Sequence, residues 1–201
     1  MVFVNRYGSP VLPLVSTPPT NTAMSKLTTL LNNNWSFAQV GNDPVFRPVE
    51  SVPTEIFLDL LAHKLIADPF PGKNELDVQW VGEEDWIYRV VFATPTKPGR
   101  TDIVFEGLDT YAVVTLNGEV ILSTDNMFTP YRVDITDRLR KDADNELSIL
   151  FESAFLHGKK VREEHKDFYW GSWNGDESRL AVRKSQYHYV CMSTVGLIGA
   201  F

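Results

Sequence analysis

The stretch Ala112-Val113-Val114-Thr115-Leu116-Asn117-Gly118-Glu119-Val120-Ile121-Leu122 decides the fold class. Two runs rich in Val, Ile and Leu flank an Asn-Gly pair. A two-residue type I′ hairpin loop needs positive φ at both central positions, which Asn and Gly tolerate. Moving toward the C-terminus, Tyr131, Val133 and Ile135 alternate with polar residues. Leu147, Ile149 and Phe151 alternate with Ser148 and Leu150 after the turn-rich Lys141–Asn145. Toward the N-terminus, Thr101–Glu106 reads as a short apolar strand. Before it, Trp86, Tyr88, Val90 and Phe92 alternate with Ile87, Arg89 and Val91, and Pro95 and Pro98-Gly99 stop the run. Trp35, Phe37 and Gln39 alternate with Ser36 and Ala38 in one more short strand. Many short strands separated by turn signals predict a mainly β chain, a β-sandwich with one or two short helices.

The helices are placed by a different period. Thr54 to about His63 carries Ile56 and Leu60, and Phe57 and Leu61, at i,i+4, with Pro53 before it and Thr54 as the expected cap. Ser153 to about Asp167 is helix-like, highly charged and expected on the surface, with Gly158 a weak point. Asp68-Pro69-Phe70-Pro71-Gly72 cannot continue a helix, and Trp170–Asp176 reads as a loop with two large aromatics before a late strand, Leu180–Val190.

The chain has 201 residues, enough for one domain. It is too short for a (β/α)8 barrel of about 250 residues. Its net charge of −7 argues against a generic nucleic-acid or anionic-membrane surface, so neither is an expected partner. Cys191 is the only cysteine, which excludes an internal disulfide and a cysteine-rich zinc site. No apolar run reaches the ~18 residues of a membrane span. Residues 1–26, with Pro10, Pro13, Pro18 and Pro19, read as a disordered lead-in with order starting at Leu30. The apolar Val11–Val15 is broken by Pro13 and makes a poor secretory signal, so the expectation is cytoplasmic, with secretion as the alternative. Asn34-Trp35-Ser36 matches a glycosylation sequon by chance, since Trp35 reads as core.

The 26 acidic residues make carboxyl pairs easy to find, and Glu83-Glu84-Asp85 and Asp176-Glu177 read as solvated loop charge. The four histidines, His63, His157, His165 and His188, lack ligand spacing, so neither a metal nor a cofactor is expected. Neither a Gly-rich phosphate loop nor a Gly-x-Ser-x-Gly elbow is present. Trp170 and Trp173, beside Phe168 and Tyr169, offer flat faces that could stack on sugar rings or simply pack their own loop.

Several blocks occur in one order: Ala67-Asp68-Pro69-Phe70, Asn74-Glu75, Gln79-Trp80, Asp85-Trp86-Ile87-Tyr88-Arg89, Phe105-Glu106-Gly107-Leu108-Asp109-Thr110-Tyr111-Ala112, Leu116-Asn117-Gly118, Asp125-Asn126-Met127-Phe128 and Arg183-Lys184-Ser185-Gln186-Tyr187-His188-Tyr189. From about Leu30 to Tyr189 the chain resembles the N-terminal domain of the β-mannosidases of glycoside hydrolase family 2, of the fungal intracellular type. The resemblance implies a jelly-roll, galactose-binding-domain-like sandwich over 27–189. It also implies a parent activity, hydrolysis of terminal non-reducing β-D-mannose residues. It puts the loop carrying Asn74, Glu75, Trp80, Asp85 and Trp86 near the mouth of the active site. Together with Trp170 and Trp173 these are the candidate substrate-binding residues, and a β-mannoside is the implied ligand. No catalytic residue is expected in this chain, because the family's linker domain and catalytic barrel lie beyond the matching region.

The family continues after Tyr-His-Tyr with Gly-Trp-Asp-Trp-Gly-Pro, whose aspartate and tryptophans grip the terminal mannose. Here Tyr189 is followed by Val190-Cys191-Met192-Ser193-Thr194. Residues 190–201 are therefore expected to be an aberrant tail. Val-Cys is what a common fungal intron donor encodes when read in frame, so a translated intron is the expectation. The sandwich is then expected to lack its last strand and to leave an edge open, since Gly196 and Gly199 make the tail a poor strand. The competing expectations are a stand-alone carbohydrate-binding module, or an interaction module that docks on a separate catalytic chain.

Overall fold

The computed structural model describes residues 26–41, 43–96, 99–167, 191–192 and 195–200. The strands are β1 (Lys26–Leu30), β2 (Ser36–Gln39), β3 (Arg47–Pro48), β4 (Thr54–Glu55), β5 (Trp86–Phe92), β6 (Arg100–Phe105), β7 (Leu108–Asp109), β8 (Ala112–Leu116), β9 (Glu119–Thr124), β10 (Tyr131–Asp134), β11 (Asn145–Phe151), β12 (Cys191–Met192) and β13 (Val195–Ala200). The helices are α1 (Ile56–Ala62), α2 (Asn74–Asp77) and α3 (Ala154–Glu164). One layer is a six-stranded sheet in the order β3-β2-β5-β11-β8-β9, and the other is a four-stranded sheet in the order β1-β13-β6-β10. A small third sheet has the order β4-β12-β7. Among the described residues all the pairings are antiparallel. The mainly β sandwich expected from the sequence is the observed architecture.

The period-two patterns account for the layers. In β5, Trp86, Tyr88, Val90 and Phe92 are buried, while Ile87, Arg89 and Val91 point to the other face. In β11, Leu147, Ile149 and Phe151 are buried opposite them, with Ile149 paired to Tyr88 and Phe151 to Trp86. Ile103 and Phe105 of β6 close the core from the facing sheet. Phe37 stacks on Tyr88 with ring centroids 5.8 Å apart, and Phe151 meets Tyr88 edge-on at 5.9 Å. Such offset and edge contacts suit the ring quadrupoles.

The Asn117-Gly118 hairpin forms as read, with φ of 55° and 87° and Leu116 paired to Glu119. Asn117 also reaches beyond its turn. Its amide nitrogen donates to the Arg138 carbonyl at 2.9 Å and to Asn145 Oδ1 at 3.0 Å. The buried Asn145 side chain in turn donates to Thr94 Oγ1 at 2.7 Å and accepts from the Arg140 N–H at 2.9 Å.

Several expectations are corrected. Thr54 does not cap α1. It lies in β4, the helix begins at Ile56, and the Thr54 hydroxyl donates to Asp59 Oδ1 at 3.0 Å. Lys26–Leu30 form β1, so a strand already lies ahead of Leu30, the expected start of order. The charged segment after Ser153 is a helix as read, but Ala154, Phe155 and Gly158 are buried, so it packs on the domain by one face. The segment read as a loop from Asn74 to Asp85 contains α2 and a 3-10 turn over Gln79–Glu83.

The tail departs furthest from expectation. β13 pairs with β1 on one side and β6 on the other, with Leu197 opposite both Thr29 and Ile103. β12 joins β4 to β7. The edge of β6, where an open edge was expected somewhere in the sandwich, is thus occupied. An exposed edge presents a row of N–H and C=O groups that any extended segment can satisfy, and glycines carry those groups too. The lead-in up to residue 25, the loop with Trp170 and Trp173, His188 and the late strand Leu180–Val190 lie outside the described residues.

Candidate functional site

The segment from Asp68 to Asp85 leads into β5 and is held by its own side chains. Asp68 Oδ1 accepts from the Phe70 N–H at 2.9 Å, an Asx-turn that starts the loop. Gly72 sits at φ 64°, where a side chain would be strained. Asn74 donates its amide to the Asp68 carbonyl at 2.7 Å, closing the loop back on itself. Gln79 donates to the Glu75 carbonyl at 2.8 Å, tying the 3-10 turn to α2. Val78 and Val81 are buried and anchor the turn on the core.

On this base Trp80 and Trp86 form a tier, with ring centroids 6.1 Å apart and planes at 45°. Trp86 is the lower member. It is 2% exposed and donates its indole N–H to the Val81 carbonyl at 3.0 Å. It supports the tier from the core. Trp80 is the upper member, 39% exposed, and is the expected aromatic that still presents surface.

Asp85 stands where this segment meets α3. Its Oδ1 accepts from the Ser153 N–H at 2.7 Å. Ser153 Oγ donates to the Gly82 carbonyl at 2.5 Å and accepts from the Leu156 N–H at 3.1 Å, capping α3. Lys159 of α3 reaches Glu83 at 3.5 Å. The helix start, the 3-10 turn and Asp85 are therefore one hydrogen-bonded unit, and Asp85 positions backbone.

Beside Asp85 lies an open cleft of about 290 Å³, lined also by Glu152, Ser153, Leu156, His157 and Lys160. His157 Nε2 lies 3.0 Å from Glu152 Oε2, and its ring stacks on Tyr111 at 4.0 Å with planes 5° apart. Burial raises the Tyr111 phenol above its usual range, and the Asp125 charge adds to this. The phenol therefore stays a neutral hydrogen-bonding group at ordinary pH. The sequence reading singled out Asp85 alone of these. Glu152, His157 and Lys160 follow the end of β11, but Tyr111 enters from a distant turn, and no local pattern announces that stack.

The arrangement suits positioning and recognition. A retaining glycosidase needs two carboxyls about 5–5.5 Å apart, one free to attack and one to transfer a proton. The two carboxyls of this cleft are each engaged, Asp85 by a backbone N–H and Glu152 by His157. Among the described residues no group of three His, Cys, Asp or Glu side chains could hold a metal ion. Of the expected contact residues, the structure brings Asn74, Glu75, Trp80, Asp85 and Trp86 into one segment. Trp170 and Trp173 fall outside the described residues.

Known proteins place the chain. Over 162 residues it is 56% identical to β-mannosidase B of Thermothelomyces thermophilus, covering 79% of this chain and 19% of that protein. It is 44% identical over 164 residues to β-mannosidase B of Emericella nidulans, covering 80% of this chain and 20% of that one. Its backbone superposes on the crystal structure of β-D-mannosidase from Dictyoglomus thermophilum with a TM-score of 0.72 at 34% identity, over 86% of this chain and 22% of the other. The chain thus spans about a fifth of the relatives it matches. Residues 35–191 match the family model described as glycosyl hydrolase 2 galactose-binding domain-like, and the chain belongs to that family.

Proposed function

We propose that the chain is the N-terminal, sugar-binding-type domain of a β-mannosidase, non-catalytic by itself, which shapes the mouth of a pocket for terminal β-D-mannose residues. Trp80 carries this reading. It is held 39% exposed over Trp86, in the 3-10 turn that also carries the buried Val81 and contacts α3, the helix whose first turns line the Asp85 cleft. A flat, partly exposed aromatic suits the apolar face of a pyranose. The names borne by the relatives at 56% and 44% identity support the choice of mannoside. The implied partners are a β-mannoside and the remaining domains of such an enzyme, and the proposed location is cytoplasmic.

The test is an assay of the purified chain with an aryl β-mannoside. No turnover above background is expected. Turnover that follows the chain through repurification would overturn the reading, because it demands a free carboxyl pair.

A further inference from the structure

A second groove, of about 710 Å³, lies on the outer face of the six-stranded sheet, where β2, β3 and β5 meet. Its polar lining comes from Asn33, Asn34, Glu50 and Arg89, and its aromatic lining includes Phe46. Arg89 lies four residues along β5 from Asp85, about 13 Å at strand spacing, and on the face opposite Trp86 and Tyr88. The groove is therefore separate from the Trp80 segment.

The Arg89 guanidinium is fixed in two ways. It lies over the Phe46 ring, 3.5 Å from the centroid, and its Nε donates to Ser36 Oγ at 3.3 Å. Stacking and the Ser36 bond hold the planar fork in place at the groove wall. Among the described residues, its terminal nitrogens have no acceptor, and the side chains of Asn33, Asn34 and Glu50 have no hydrogen-bond partner. Asn34 is held at φ 63°, in the turn before β2.

We propose that this groove is a binding site for a neutral saccharide, distinct from the site at Trp80. The chemistry selects the class. The Arg89 fork only donates, Glu50 only accepts, and each Asn amide does both. Neighbouring sugar hydroxyls need this mixture, since each donates once and accepts as well. An anion would meet Glu50, and a cation would meet Arg89. The volume falls within the range of small-ligand sites, about 300–1,000 Å³. The inference does not depend on the reading of the Trp80 segment.

The experiment is a two-dimensional ¹H–¹⁵N NMR titration of the full 201-residue chain with mannobiose, cellobiose and lactose in turn, and with inorganic phosphate as the anionic control. Saturable shifts centred on Asn33, Asn34 and the Arg89 side-chain N–H are expected with at least one disaccharide. Arg89→Met and Glu50→Gln are each expected to weaken that binding about tenfold, the size of one lost hydrogen bond to a charged group. Glu50 is exposed, so its substitution remains informative if Arg89→Met misfolds. Val120→Ser, on the far edge strand β9, is expected to leave the affinity unchanged. The proposal is overturned by an absence of saturable shifts with all three sugars, by shifts confined to the Trp80 segment, or by a response to phosphate alone.

Discussion

The hydroxyl of Tyr88 in β5 donates to Asp59 Oδ2 in α1 at 2.6 Å, across 29 residues of sequence. Thr54 supplies the other oxygen's partner at 3.0 Å. Asp59 is buried, and the bond ties the helix to the centre of the six-stranded sheet. Burial is the largest influence on this carboxyl and raises its pKa above the ordinary 3.8, against the lowering effect of the Tyr88 and Thr54 hydroxyls. The folded state therefore holds the Asp59 proton more tightly than the unfolded chain does. The stability contributed by protonated Asp59 is complete below the unfolded value and is lost as pH rises from there through the raised folded value.

Asp59→Asn removes this titration. The stability of the original chain relative to the variant is expected to fall as pH rises above about 4, toward a plateau above the folded pKa. Urea midpoints for both proteins across that window check it. A difference that stays flat with pH would contradict the raised carboxyl.

Tyr88→Phe keeps the ring contacts with Phe37 and Phe151 and deletes only the donor to Asp59. The expected cost at neutral pH is about 1.5–3 kcal/mol, that of a buried hydrogen bond to a charged group. The loss is expected to shrink under acid conditions, where Asp59 is protonated. Chemical denaturation at two pH values measures both.

Gly118 isolates backbone strain from packing. A Cβ placed there meets nothing within 4 Å, yet the residue sits at φ 87°. Gly118→Val is therefore expected to lower stability by about 1 kcal/mol or more through φ alone. Gly41 is equally open and has no left-handed φ, so Gly41→Ala is expected to change stability by less than about 0.5 kcal/mol. Thermal melts of the pair separate the two effects.

The tryptophan tier gives an asymmetric pair. Trp86→Ala removes a buried ring and an indole donor, and is expected to cost about 3–5 kcal/mol. Trp80→Ala trims the exposed member and is expected to leave the melting temperature within a few degrees. Equal losses would mean that Trp80 is core and not a presented face.

Much of this protein is written locally in its sequence. The alternation in β5, β8 and β11 set which residues are buried, because a strand's side chains alternate faces whatever lies beyond them. Asn117-Gly118 set its own turn for the same reason: positive φ is a property of those two residues and needs no tertiary help. The block of motifs shared with β-mannosidases carried the family. Other features were decided by tertiary contact. Thr54 has the chemistry of a helix cap, but the hydroxyl is taken by Asp59, and the chain stays extended for two residues more. The bonds of Asn74 to the Asp68 carbonyl and of Asp85 to the Ser153 N–H come from the folded chain, and nothing in the local pattern announces them. The Tyr111–His157 stack and the Arg89–Phe46 pair join residues about forty apart, which no local period can announce. The tail shows the same division. Its glycines argue against a strand by intrinsic preference, but the open backbone groups of β1 and β6 pair with it, because hydrogen bonding between sheet backbones is indifferent to side-chain identity.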